Sequence, residues 1–66
     1  MDYGEELKYH RLKLNKSLRQ VENETGISNE NLSRWERNLV SPSIENCVKL
    51  ADYYGVTLDD LIGRKL

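Results

Sequence analysis

The chain has 66 residues, enough for one small domain and too few for a second folded unit beside it. Apolar residues make up 38% and charged residues 32%, the mixture of a globular protein with a small core, and no apolar run approaches the roughly 18–20 residues that cross a bilayer. The net charge of −1 argues against a uniformly basic surface for nucleic acid, yet residues 8–19 hold Lys8, Arg11, Lys13, Lys16 and Arg19 with no acid.

That basic stretch is either a solvated face or a local positive field, because screening confines a charge to a reach of about 8–10 Å. No charged n-region is followed by an apolar h-region, so no secretion signal is expected, and the single Cys47 has no partner for an internal disulfide. Both features point to a reducing, cytoplasmic setting.

Caps and stops divide the sequence into five expected helices. The first spans 4–14, with Leu7, Leu14 and in part His10 on one face, and closes at Asn15, a residue that tolerates left-handed backbone. Ser17, three residues before Gln20, forms a capping-box pattern at the start of the second helix, 18–25. Gly26 closes that helix, Ile27 points inward and Ser28 caps the third, 29–36, which Asn38 terminates. Ser43, after Pro42, caps 44–54, where Ile44, Cys47, Val48, Ala51 and Tyr54 follow the i, i+3, i+4, i+7 rule. Gly55 ends it, Val56 turns inward, and Thr57 with Asp60 caps a last helix, 58–63. No stretch alternates with period two for long enough to be a strand. The connections of three to seven residues suit an all-helical domain.

Between the second and third helices lies Thr25-Gly26-Ile27-Ser28. A short turn with glycine between two short helices is the helix-turn-helix signature, although a plain helical hairpin carries the same spacing. Within 29–36, Asn29, Glu30 and Arg34 share a sector opposite Leu32 and Trp35. Leu32 and Trp35 are therefore expected in the core, and Trp35 packs rather than intercalates.

The stretches SLRQVENETGIS, NLSRWERN, PSIENCVKLADYYGV and TLDDLIG, in this order and spacing from residue 7 to 62, resemble the Cro/phage-repressor type of helix-turn-helix domain, the XRE-like regulators. The resemblance implies an all-α, compact, five-helix lambda-repressor-like fold, a single domain over 1–66 with its motif at about 17–36. It also implies that the third helix enters the major groove of double-stranded DNA with its N-terminal residues at base edges. A further implication is a brace between Arg11 in the first helix and Glu36 at the end of the third, the fork of Arg gripping the carboxylate with two bonds.

On that frame Asn29 suits adenine, Arg34 suits guanine, and Glu30 either accepts from cytosine or merely favours a helix start. Ser28, Asn31 and Ser33 are candidates for nearby base or backbone contacts. Ser17, Arg19 and Gln20 sit at a helix N-terminus, where phosphate binds readily, and Arg37 and Asn38 flank the other strand. Lys13 and Lys16 add positive charge.

The chain departs from the family at several places. Leu18 stands where many relatives have Gln. Glu22 replaces a small residue where the second and third helices approach. Asn38-Leu39-Val40 replaces a Gly-basic run, and His10 takes an apolar position. Leu39 and Val40 either pack inward or meet a partner.

The implied activity is sequence-specific regulation of transcription, most simply by repression as a homodimer. The alternative is a protein-interaction module of the same fold, an antirepressor or antitoxin. An enzyme is not expected. His10 is the sole histidine, no set of ligands suits a metal, Cys47 lies on an apolar face without an activating partner, and no glycine-rich phosphate loop occurs. No cofactor, small-molecule ligand or membrane partner is expected.

Overall fold

The computed structural model describes residues 2–64 and contains five helices: α1 (Tyr3–Lys13), α2 (Leu18–Thr25), α3 (Asn29–Glu36), α4 (Ile44–Tyr54) and α5 (Leu58–Ile62). Each begins where a side-chain oxygen takes a backbone N–H that the first turn leaves unpaired. Ser17, Ser28, Ser43 and Thr57 accept from Gln20, Asn31, Asn46 and Asp60 at 3.1–3.2 Å. At α2 the box is reciprocal, the Gln20 side chain accepting from the Ser17 N–H at 2.8 Å. Asp2 caps α1, accepting from Glu5 N–H at 3.1 Å, and the helix accordingly starts one residue before the expected position.

Stops lie where the backbone turns left-handed. Gly26 has φ +80°, a conformation that a Cβ would oppose, and Asn15 and Asn38 take φ +56° and +59°. Gly55 ends α4 in the same conformation. Gly63, the last residue of the expected fifth helix, is instead its left-handed cap.

All five helices contribute to one core. Leu7 comes from α1, Val21 from α2, Leu32 and Trp35 from α3, Leu50, Ala51 and Tyr54 from α4, and Leu61 from α5, with Ile27 closing the turn. Val56 is half-buried against this cluster. Helix α1 packs on α3 and α5, while α2 packs on α3 and α4.

Two expected core stripes shift. Leu14 is exposed because α1 ends at Lys13, so the residue falls beyond the packed segment. In α4 the inward stripe is Cys47, Leu50, Ala51 and Tyr54; Val48 is exposed and Ile44 is 81% exposed. Both stripes obey helical spacing, and Ile44 and Val48 lie at the flank of the real one. Leu50 is the core residue that the spacing passed over.

Candidate nucleic-acid interface

Helices α2 and α3 meet at an angle fixed by Val21, Ile27 and Leu32, all buried, with Trp35 anchoring the far end of α3. Trp35 is only 5% exposed, so its ring belongs to the core. The opposite side of α3 is polar. Glu30 and Arg34 stand exposed, Asn29 and Ser33 are half-buried, and Asn31 is exposed beside them.

Four of these side chains, Asn29, Glu30, Asn31 and Arg34, are paired within the chain. Arg34 Nη1 donates to Asn31 Oδ1 at 3.3 Å, and its Nη2 lies 3.7 Å from Glu30 Oε2, one turn back. Asn29 Nδ2 donates to Glu22 Oε1 at 2.8 Å, a bond from α3 to α2. Glu22, which stands where a small residue is usual, is half-buried and turned toward the first residue of α3.

The end of α3 is tied to α1. Arg11 Nε donates to Glu36 Oε2 at 2.7 Å and Nη2 to Oε1 at 2.9 Å, with the two side chains only 10% and 7% exposed. The third guanidinium nitrogen donates to the Lys16 carbonyl at 2.8 Å, which fixes the approach to α2. The hydrogen bond to Glu36 raises the Arg11 pKa above its ordinary value, burial opposing it. A second tie lies beside it. Asn38 Oδ1 accepts from Gly4 N–H at 3.0 Å, and its Nδ2 donates to Asp2 Oδ1 at 2.8 Å. The Asn38 amide is thus engaged within the chain.

The N-terminus of α2 brings Ser17, Arg19 and Gln20 to the surface. Arg19 forms no ion pair among the described residues. Lys16 does: its ammonium lies 3.1 Å from Glu24 Oε2, while Glu24 Oε1 accepts from the Tyr53 hydroxyl at 2.7 Å. Tyr53 and Lys16 together hold the Glu24 carboxyl below its usual range, and desolvation with the Glu24 charge pushes the Tyr53 hydroxyl up to about 12. Lys13 lies over the Tyr9 ring at 5.9 Å. At the other end Arg37 is exposed, and its side chain donates through Nε to the Ser33 carbonyl at 3.4 Å. Leu39 and Val40 point outward, 62% and 51% exposed, rather than into the core.

His10, at the position usually apolar, is buried, with Nε2 at 2.9 Å from the Asp60 carbonyl; it joins α1 to α5. Cys47 is half-buried, and burial pushes its thiol pKa up, away from reactivity.

The arrangement presents the polar face of α3, with Arg19 and Arg37 also exposed, on a helix packed into the core and tied to α1. Along 64 residues, 97% of its length, the chain is 36% identical to the cryptic phage CTXphi transcriptional repressor RstR of Vibrio cholerae, covering 57% of that protein. It is 33% identical over the same share to the HTH-type transcriptional regulator ImmR of Bacillus subtilis, covering 50% of it. The chain spans about half the length of these curated relatives. The helix-turn-helix family model matches residues 7–61, from the first core leucine of α1 to the buried leucine of α5, and the chain belongs to that family.

Proposed function

We propose that the chain is a sequence-specific double-stranded DNA-binding regulator of transcription, acting as a repressor in the cytoplasm. Helix α3 lies in the major groove. The observation that carries this reading is the outward face of α3. It holds Asn29, Glu30 and Arg34, hydrogen-bonding side chains suited to base edges, on a helix braced from behind by Arg11 and Glu36. A protein-binding face would carry apolar or aromatic residues at its centre.

Arg34 reads guanine O6 and N7, Asn29 reads adenine, and Glu30 accepts from cytosine N4 when Arg34 turns to its own base. Ser28, Asn31 and Ser33 make the nearby contacts. Ser17, Arg19 and Gln20 seat one phosphate at the N-terminus of α2. Arg37 takes the other strand, and Asn38, whose amide is engaged within the chain, presents only its backbone there.

Two copies bind half-sites about one helical turn apart, because one module makes too few base contacts for specificity. The sequence suggests a dimer surface on the fifth helix and tail, with Leu58, Leu61, Ile62 and Leu66 beside Tyr53, but α5 serves this pairing poorly. Leu61 is buried and Ile62 packs on the core, which leaves Leu58; Leu66 lies outside the described residues. The outward Leu39, Val40 and Ile44 favour a second reading, a chiefly protein-binding module such as an antirepressor or antitoxin.

Selection from random duplexes at about 50 and 150 mM salt separates the two readings. Enrichment of a two-fold symmetric motif, with affinity falling steeply as salt rises, supports DNA recognition. No enriched site at either salt concentration supports the protein partner.

A further inference from the structure

The bond between Glu22 and Asn29 joins two features with no evident role in packing. Glu22 places an acid in the half-buried seam between α2 and α3, and its carboxylate lies against the residue that opens the recognition helix. We propose that Glu22 is a positioning residue for base recognition: it fixes which end of the Asn29 amide faces the groove. This inference rests on the reading of Asn29 as a base contact.

A free asparagine amide can turn over, offering its oxygen or its nitrogen outward at little cost, and so can meet a base that donates or a base that accepts. A carboxylate accepts only. With Glu22 Oε1 at 2.8 Å from Nδ2, the turned-over amide would set Oδ1 against a carboxylate oxygen, two acceptors with no hydrogen between them. Both residues are half-buried, and partial burial raises the cost of such an arrangement above its cost in open water. Nδ2 therefore stays on Glu22 and Oδ1 stays outward.

The base opposite must then donate. In the major groove adenine N6 and cytosine N4 donate, whereas guanine and thymine offer acceptors at the corresponding edge. The second Nδ2 hydrogen can serve adenine N7, so adenine ranks first. Glu22 thus converts an ambivalent amide into a reader of amino-bearing bases without touching DNA itself.

The test uses the full 66-residue chain and four duplexes that differ at the base pair whose preference Asn29→Ala abolishes. Wild type is expected to favour adenine over guanine there by roughly tenfold or more, the scale of a paired amide contact. Glu22→Ala is expected to bring this ratio below about threefold, with preferences at all other positions retained. Glu22→Lys, which replaces an acceptor with a donor, should turn the amide over and move the preference toward guanine. Loss of an acid also raises affinity for every sequence, and that uniform change is read separately from the ratio.

Full adenine preference in Glu22→Ala overturns the proposal while leaving Asn29 as a base reader. Asn29→Ala with no change at any position overturns the base-reading assignment and the proposal with it. Equal weakening at every position in Glu22→Ala, with a lower melting temperature, would mean that Glu22 only holds α2 to α3, and overturns it too.

Discussion

Removing the carboxylate of Glu36 tests the brace that holds the recognition helix. Glu36→Ala leaves the Arg11 guanidinium, its side chain 10% exposed, with the Lys16 carbonyl as its remaining partner. Breaking a buried ion pair from one side costs about 3–5 kcal/mol, chiefly because the surviving charge stays desolvated. A domain of this length has a total stability of about 3–10 kcal/mol. The loss therefore takes a large part of the whole, and the melting temperature should fall by at least about 12 °C, at about 4–8 °C per kcal/mol for a domain of this size. Thermal and urea unfolding followed by far-UV circular dichroism measure it. The double variant Arg11→Met/Glu36→Leu removes both charges and should recover most of the loss, since apolar replacement of a buried pair is often neutral or better. At a temperature where Glu36→Ala remains folded, its base preferences should match wild type. A melting temperature within about 3 °C of wild type would place the pair among surface salt bridges, worth about 0–1 kcal/mol, and would refute the reasoning.

Arg34→Ala should abolish preference at one base position per half-site, at roughly 1–3 kcal/mol in competition binding; an equal loss on all sequences would make Arg34 a phosphate contact. Gly4→Ala should destabilise by about 1–3 kcal/mol in urea unfolding. An alanine Cβ there would meet the Glu36 carbonyl at 2.5 Å and the Asn38 amide at 2.8 Å, reversing the usual gain from Gly→Ala in a helix; a more stable variant would contradict the close approach of α1 to α3. The depressed Glu24 carboxyl means that the unfolded chain takes up this proton first as pH falls. Its stabilisation is full above the ordinary value of 4.5 and is lost as pH drops through the folded value, so stability should fall less steeply with acid in Glu24→Gln. Identical slopes for the two proteins would count against the Lys16–Glu24–Tyr53 cluster.

The helix starts were legible because each cap is local. Ser17, Ser28, Ser43 and Thr57 need only a backbone N–H three residues away, and sequence spacing specifies that directly. Burial on α4 was less legible. Ile44, Cys47, Val48 and Ala51 fit the same helical period as Cys47, Leu50, Ala51 and Tyr54, and only the position of the other helices selects between them. The pair of Arg11 and Glu36, 25 residues apart, came from family resemblance, since no spacing rule reaches that far. For Glu22 the sequence offered a warning, an acid where a small residue is usual, but not its bond to Asn29. Asn38 was legible as a left-handed stop and not as the tie to Asp2 and Gly4, because side-chain partners more than thirty residues away depend on the completed fold.

The net charge of −1 is a poor guide to this surface because the acids around α3 differ in what their partners cost to release. Glu36 is buried with Arg11 and stays there: separating them forfeits about 3–5 kcal/mol, more than a base contact returns. Glu30 and Arg34, one helical turn apart and exposed, gain only about 0.3–0.5 kcal/mol from each other. A bidentate contact to guanine is worth about 1–3 kcal/mol of discrimination, so Arg34 can leave Glu30 with a net gain. Once it leaves, the Glu30 carboxylate faces the groove without its cation. Opposite a cytosine it finds the N4 amino group and opposite an adenine the N6 amino group; opposite guanine or thymine it finds acceptors or a methyl group, all unfavourable to an anion. On the proposed reading of α3, the opening of this weak pair would make Glu30 selective through rejection of wrong bases, even with little attraction to the right one. Glu30→Gln separates the two parts. Affinity should rise most on duplexes with guanine or thymine at the facing position and change little on those with cytosine or adenine there. An equal rise on both would show that Glu30 acts on DNA only through its charge.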